Sequence, residues 1–288
     1  MIYKKQIEQE IKELTGLMDL VQIYGEVAST RMKKIRDSVL KNRNFLNSIH
    51  DIFKDALVAY AQKVSQTKRG HLKSGQHVTL LAHNGKTVAV YISANTGFYG
   101  DVVQKTFNAF LNDIKNTNVE TTIIGKVGLS LFTGAQPNRP YTYFSLPDFG
   151  VSREGLAEVI KHLVKYEEMW IYYGQYYSVV TQKPDKVVIS AGATIGDSNT
   201  KPKEMFLFEP SIEKILMFFE TEIFTSLFDQ AIRESQLAKF ASRIMAMDEA
   251  NENIKKRLAE TKLFKMRTLH GNANRKQLNT LAPIMETM

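Results

Sequence analysis

The sequence predicts an α/β domain carried between two long helices that pair as an antiparallel coiled coil. Three observations predict it. Apolar residues recur at steps of three and four from Ile7 to Tyr60; a second such series follows Pro210 and Ser211; and from about Gly75 to Ala191 the pattern changes to alternating or continuous β-type. Heptad spacing sustained well beyond an ordinary helix needs an equally long partner, and strands interleaved with helices form a layered domain. The predicted segments are an N-terminal coiled-coil helix over 1–68, a central α/β domain over 69–203 and a C-terminal coiled-coil helix over 204–288.

The first seam runs Ile7, Ile11, Leu14, Met18, Val21, then Ala28, Met32, Ile35, Val39, then Leu46, Ile49, Phe53, Ala56, Tyr60. Gly25 and Asn42 fall on it off-pattern. Asn at a seam position sets register at some cost in stability. Gly25 costs a helix about 1 kcal/mol relative to Ala and marks a close approach or a flexible point.

The partner series is Ile212, Leu216, Phe219, Ile223 and Leu227, opened by Pro210 and Ser211 as a helix start. It then shrinks to Ala231, Ser235, Ala238, Ala241 and Ser242 before Met245, Ile254 and Leu258. Small side chains let two helix axes approach. Helices joined through an intervening domain must run antiparallel to lie side by side. Gly271 and Pro283 predict weakening towards the far tip.

In the middle, VTLLAH and KTVAVYIS flank Asn84-Gly85, a hairpin signal. A helix is predicted over 101–112, a strand over 120–124, a helix over 152–166, and strands over 168–173 and 176–181. Residues 192–203, rich in Gly, Ser, Asn, Thr and Pro, read as a return linker.

The formal net charge of +8 suits an acidic partner of any kind. The chain has no cysteine, which removes disulfides, thiolate metal sites and a cysteine nucleophile and leans towards a cytoplasmic setting. Its start is charged and amphipathic, unlike a secretory signal, and no apolar run has the length of a membrane span. Gly85-Lys86-Thr87 resembles the end of a phosphate loop, but Leu80 stands where the first glycine is required, so a turn is the better reading. His71, His77 and His83 are spaced by six, which matches no zinc pattern. Gly97-Phe98-Tyr99-Gly100 precedes a helix but is not GxGxxG, and reads as a strand-to-helix turn. GxSxG and HExxH are absent. No catalytic, metal or cofactor-binding residue is predicted. The basic run Arg31, Lys33, Lys34, Arg36, Lys41, Arg43 lacks the interleaved aromatics that stack bases and reads as a solvated helix face.

Short collinear blocks across nearly the whole chain resemble the gamma subunit of F-type ATP synthases. Val27-Ala28-Ser29-Thr30-Arg31-Met32-Lys33-Lys34 is similar to that family's VAASKMRK. Asn95 to Gly100 resembles DRGLCG, Ile124 to Gly128 resembles IGRKG, and Tyr173 to Ser178 sits where the family has YNKFxS. Phe208 to Ser211 matches FEPS, and Glu234-Ser235 with Ala241 to Asp248 resembles ES...AARMxAM. The chain departs from the family at NTGFYGD, at Tyr173-Gly174, and at Lys239-Phe240, where a Glu-His pair is usual. Asn272, Arg275 and Thr280 keep the spacing of the family's last block but lie further from Asn253 than the pattern places them.

The resemblance implies a Rossmann-like central domain and a two-stranded shaft. It implies a central rotor shaft, itself not an enzyme and without cofactor, coupling rotation of the membrane rotor to conformational cycling of catalytic beta subunits. The partners implied are the alpha and beta subunits of the catalytic hexamer, with the epsilon subunit and the membrane rotor ring at the foot. The location implied is peripheral, on the cytoplasmic face of the membrane. Residues carried over as stator-contact and coupling candidates are Arg31, Met32, Lys33, Lys34, Arg243, Met245, Met247, Asp248 and Arg275. The central-domain motif residues are Gly97, Gly100, Gly125, Gly128, Tyr173 and Ser178. Three alternatives stand beside this: the shaft of a divergent, hydrolysis-dedicated ATPase of the same type; a basic coiled-coil protein that binds nucleic acid; and a small α/β enzyme on a helical stalk with a ligand near Gly97 to Gly100.

Overall fold

The structure, a computed structural model, describes residues 2–67, 77–78, 83–190, 193–194 and 211–285. In chain order the elements are α1 (Ile2–Thr67), β1 (His77–Val78), β2 (Thr87–Ile92), α2 (Val102–Ile114), β3 (Glu120–Ile124), α3 (Lys126–Ala135), β4 (Thr142–Phe144), α4 (Arg153–Leu163), β5 (Glu168–Tyr176), β6 (Gln182–Ser190), β7 (Ala193–Thr194) and α5 (Ile212–Met285). They fall into two compact units, one of residues 1–29 and 243–288 and one of residues 30–242.

In the first unit the two long helices pair antiparallel. Glu8 meets Lys265 at 3.1 Å, Glu10 meets Arg257 at 3.0 Å, and Tyr24 lies under Arg243 at 5.8 Å. Partner numbers fall as chain numbers rise. Ile7 is buried and Ile11, Leu14, Met18 and Val21 are half-buried, so the predicted seam is the face that packs. A β-carbon at Gly25 would lie 3.7 Å from Met247 Cβ, an ordinary contact, so the glycine is not required there. Helix α5 continues through Gly271 and Pro283, where weakening was expected. Gly271 faces open space and Pro283 lies two residues from the helix end, so neither removes an inner turn. From 269 to 279 every side chain is exposed.

In the second unit the helices are again antiparallel: Asn42 reaches Gln230, and Arg233 donates to Ser38 Oγ. Ser211 opens α5, its carbonyl accepting from Ile215 N at 3.2 Å and its hydroxyl from Lys214 N at 3.4 Å; Pro210, like most of the predicted 192–203 linker, lies outside the described residues. The sheet runs β4-β3-β2-β5-β6, with β2 central and parallel to both β3 and β5, β4 parallel to β3, and β6 antiparallel to β5. Strand β1 pairs with β7 in a separate two-residue ladder.

This topology overturns the hairpin expected at Asn84-Gly85. Both edges of β2 are taken by parallel strands, so the turn leads into a central strand instead of joining two neighbours. Its turn chemistry is real: Lys86 N donates to Asn84 Oδ1 at 2.9 Å, and Gly85 has φ +68°. The strand expected over 176–181 is also displaced. β5 runs on to Tyr176, Tyr177 and Ser178 turn back on Thr181, and β6 begins at Gln182. Helix α3 and strand β4 were not predicted; α3 carries Gly128 and Gly134, which mask it in propensity, and β4 has only three residues.

Strand β2 is buried on both faces, which is why it reads as a continuous apolar run. Val88, Val90 and Ile92 face one core with Val159 and Leu163 of α4 and Phe224, Phe228, Ala231 and Ile232 of α5. Ala89 and Tyr91 face the other, with Phe107, Phe110 and Ile114 of α2 and Phe132 of α3. Helix α5 is therefore a layer of the α/β sandwich as well as a coiled-coil strand. Between 231 and 242 all its residues except Arg233 are buried, as expected of a helix covered on more than one side. Its run of Ala and Ser lets it lie close.

Candidate functional site

Strands β2 and β5 are parallel neighbours joined through connections that leave in opposite directions along the sheet. Their carboxyl ends are the switch point at which open α/β sheets hold ligands. Here the crevice is filled from within the chain. A β-carbon at Gly174, on β5, would lie 2.8 Å from Val102 Cγ2 and 3.4 Å from Ala238 Cβ of α5. At Gly100, φ is +57° and a β-carbon would meet Ser242 Oγ, with the Ser242 carbonyl oxygen at 3.2 Å. Only glycine admits both the left-handed backbone and that approach.

The same end of β2 is bounded by α3. Gly125, its N-cap, has φ +103° and Gly128 lies where a β-carbon would fall 2.6 Å from Ser93 Cβ. Thus Gly100, Gly125 and Gly128 of the predicted motif converge around β2. The others do not: Gly97 is exposed with open space around it, Tyr173 is buried and donates its hydroxyl to Asp185 Oδ2 at 3.2 Å, and Ser178 lies in the β5–β6 turn accepting from Thr181 N. Burial pushes the Tyr173 hydroxyl well above its ordinary value, helped by the Asp185 charge. Phe98, in the turn, has φ +65° and is exposed.

The centre of the crevice is a buried carboxylate. Asp148, in the β4–α4 connection, accepts from Asn95 N at 2.9 Å, Thr96 N at 3.0 Å and Thr96 Oγ1 at 2.9 Å. Lys239 of α5 brings Nζ to 3.5 Å from Asp148 Oδ1 and donates to the Ser93 carbonyl at 2.7 Å. Desolvation raises the Asp148 pKa, but the Lys239 charge and the hydrogen bonds from Asn95 and Thr96 outweigh it, and the net shift is downward. Asn95 ties the connections together, donating Nδ2 to Leu146 O and accepting from Lys126 N at 3.0 Å.

Beside this pair the basic run of α1 divides. The Arg31 guanidinium lies over Phe149 at 5.3 Å and Phe240 at 5.9 Å, a stacked arrangement. Met32 is buried; Lys33 and Lys34 are exposed. In the unit of residues 1–29 and 243–288, Arg243 is buried over Tyr24, Met247 is buried, and Met245, Asp248 and Arg275 are exposed. His83 Nδ1 lies 3.1 Å from the Val164 carbonyl; His71 and Leu80 lie outside the described residues. Among the described residues no cluster of acidic and histidine side chains has the makings of a metal site, and no helix is long and apolar enough to cross a membrane.

Sequence reasoning missed Asp148 and Phe149. They stand in Leu146-Pro147-Asp148-Phe149-Gly150, which reads as turn chemistry, and their partners are 91 residues further on in α5. The one available signal was the Lys239-Phe240 departure, which places a cation and an aromatic ring on a helix face otherwise of small residues.

A family model described as ATP synthase matches residues 4–268. The ATP synthase gamma chain of Desulforamulus reducens is 22% identical over 259 residues, covering 87% of each chain. That of Alkaliphilus metalliredigens is 24% identical over 258 residues, covering 86% of each. Among solved structures, a chain of the Tetrahymena thermophila mitochondrial ATP synthase central stalk and c-ring superposes with a TM-score of 0.57 at 16% identity, over 80% of this chain and 99% of that one. A chain of the Euglena gracilis mitochondrial ATP synthase gives 0.54 at 17% identity, over 90% and 95%. At such identity the two superpositions speak for the fold.

Proposed function

The chain belongs to the gamma-subunit family of F-type ATP synthases, a central-stalk subunit, and from that premise we propose which partners its two units meet. The paired helices of residues 1–29 and 243–288, together with the next turn of α1 up to Lys34, enter a ring of alternating alpha and beta subunits. The α/β unit meets the epsilon subunit and the membrane rotor ring, on the cytoplasmic face. The chain makes no bond and breaks none. It supplies differential contacts as it turns, favouring a different conformation in each catalytic beta subunit, which is all a coupling element has to supply.

One observation carries this reading: each helix of the pair leaves an apolar cluster exposed. α1 exposes Leu17, Leu20, Ile23 and Tyr24, and α5 exposes Leu263, Phe264, Met266 and Leu269. Exposed apolar clusters of this kind mark interaction faces, and an apolar sleeve is the environment that suits them. Lys33 and Lys34, Asp248 and Arg275 are the exposed charges that would meet the ring. The buried residues Met32, Arg243 and Met247 would act by holding the helices in place.

Co-expression with candidate alpha and beta subunits tests the reading. The expected result is a hexamer that co-purifies with the chain and hydrolyses ATP while turning it. A hexamer that assembles without the chain, or a chain that joins none, removes the proposal. Binding of DNA by the isolated chain with a steep salt dependence would favour the nucleic-acid alternative instead.

A further inference from the structure

We propose that Lys239 is a positioning residue that clamps α5 to the α/β domain, so that torque passes between sheet and helix without slip; this rests on the shaft reading above. Apolar packing between a helix and a sheet is non-directional and tolerates small sliding. A buried ion pair does not, because separating its members leaves a charge without compensation in a poorly polarisable interior. Most of the contact between α5 and the sheet is of the first kind, through Phe224, Phe228, Ala231 and Ile232. Lys239 is of the second.

Its side chain is 6% exposed and that of Asp148 8%. The ammonium is held at three points: Asp148 Oδ1 at 3.5 Å, the Ser93 carbonyl at 2.7 Å, and the Tyr99 ring at 5.9 Å from its centroid. Those points belong to the end of β2, to the turn before α2 and to the β4–α4 connection. Asp148 is in turn fixed by the backbone amides of Asn95 and Thr96. Rotation of α5 about its axis, or sliding along the sheet, would break all three contacts together. Phe240, the next residue, is locked edge-on against Tyr99 and Phe149 at 5.9 and 6.2 Å. The ammonium occupies the crevice where an α/β sheet of this topology would otherwise hold a ligand, so the site serves attachment.

The test uses the assembled, membrane-reconstituted complex and reads two quantities, ATP hydrolysis and ions pumped per ATP. Lys239→Met is expected to leave hydrolysis near the wild-type rate and at least halve the pumping ratio, while Lys239→Arg keeps most of it. Asp148→Asn, which keeps an acceptor but loses the charge, removes the other half of the clamp and is expected to lower the ratio in the same way; it serves if Lys239→Met does not assemble. A wild-type chain that joins no ring overturns the shaft reading, and the clamp with it. Wild-type pumping by both Lys239→Met and Asp148→Asn overturns the clamp alone.

Discussion

Asn42 on α1 donates its side-chain amide to Gln230 Oε1 on α5 at 3.1 Å and lies 3.5 Å from the Ser226 carbonyl. Gln230 in turn donates to Glu234 at 2.8 Å. A polar residue in an apolar seam thus makes these hydrogen bonds at this register of the two helices, which favours it over neighbouring ones. Asn42→Ala is expected to cost about 1 kcal/mol, the net worth of one such bond, and to lower the thermal midpoint by roughly 2–4 °C. Calorimetry of the isolated chain measures it; an unchanged midpoint would mean that register is set by the apolar seam alone.

Glycine substitutions should divide by sign. Gly25 lies in regular helix, where an added β-carbon would make an ordinary 3.7 Å contact with Met247 Cβ, so Gly25→Ala should stabilise by about 1 kcal/mol. Gly128→Ala would drive a β-carbon to 2.6 Å from Ser93 Cβ, and Gly100→Ala would place one on Ser242 at positive φ; each should destabilise by at least about 2 kcal/mol. Urea midpoints of the three variants check the pattern. Loss of stability in Gly25→Ala would restore the close-approach reading of that glycine.

Acid should weaken the crevice in a defined direction. The Asp148 carboxyl is held below the ordinary carboxylate value of 3.8: desolvation opposes the shift, and the Lys239 charge with the Asn95 and Thr96 donors outweighs it. A lowered folded value means that the stabilisation is present above the unfolded pKa and lost as pH falls through the folded one. Asp148→Asn should therefore be less stable than wild type at pH 7, by about 2 kcal/mol, and the gap should close as pH falls below about 4. Denaturant titrations at pH 7, 5 and 3.5 read the gap directly. A gap that does not change with pH would show that the charge of Asp148 adds nothing to stability there.

The exposed and stacked cations of α1 should behave differently. Lys33→Gln with Lys34→Gln removes two solvated charges and should leave stability within about 0.5 kcal/mol, while slowing association with the alpha–beta ring and flattening its salt dependence. Arg31→Gln removes a guanidinium stacked on Phe149 and Phe240 and should cost about 1 kcal/mol in the isolated chain. Thermal melts and stopped-flow association at two salt concentrations separate the cases.

What could be read in advance follows from range. The three-and-four seam of α1 from Ile7 to Val39, α2, β3 and α4 are local patterns, and they stand within a few residues of their expected positions, whereas Met245, expected on the partner seam, is exposed and the side chains of Leu46, Ile49, Phe53, Tyr60 and Ile212 lie outside the described residues. The hairpin at Asn84-Gly85 failed because the same turn chemistry serves a hairpin and the entry to a central strand, and only the pairing of β2 with β3 and β5 decides between them. Helix α3 was hidden because Gly128 and Gly134 lower its helix propensity, and the reason for glycine at 128, the close approach of Ser93, is a contact between segments. The crevice was least legible for the same reason: Asp148 and Lys239 are far apart in the chain, and neither belongs to a motif. Glycines at 100 and 125 carried more information, since positive φ leaves a residue-type trace where an ion pair does not.

Arg243 separates a structural from a partner-facing role most sharply. It is 4% exposed with its guanidinium 5.8 Å from the Tyr24 ring, and its stem is covered with it. Arg243→Ala should therefore destabilise the isolated chain by roughly 2 kcal/mol through lost packing and lost attraction to the ring. A cycle with Tyr24→Leu should return a coupling of about 0.5–1 kcal/mol, since the two groups share one contact. An arginine whose business lay with the ring alone would leave the urea midpoint of the isolated chain unmoved and change only ATP-driven rotation. Effects on both, with the rotational defect following the loss of stability and cured by a stabilising Gly25→Ala, would assign Arg243 to holding the helix pair in register.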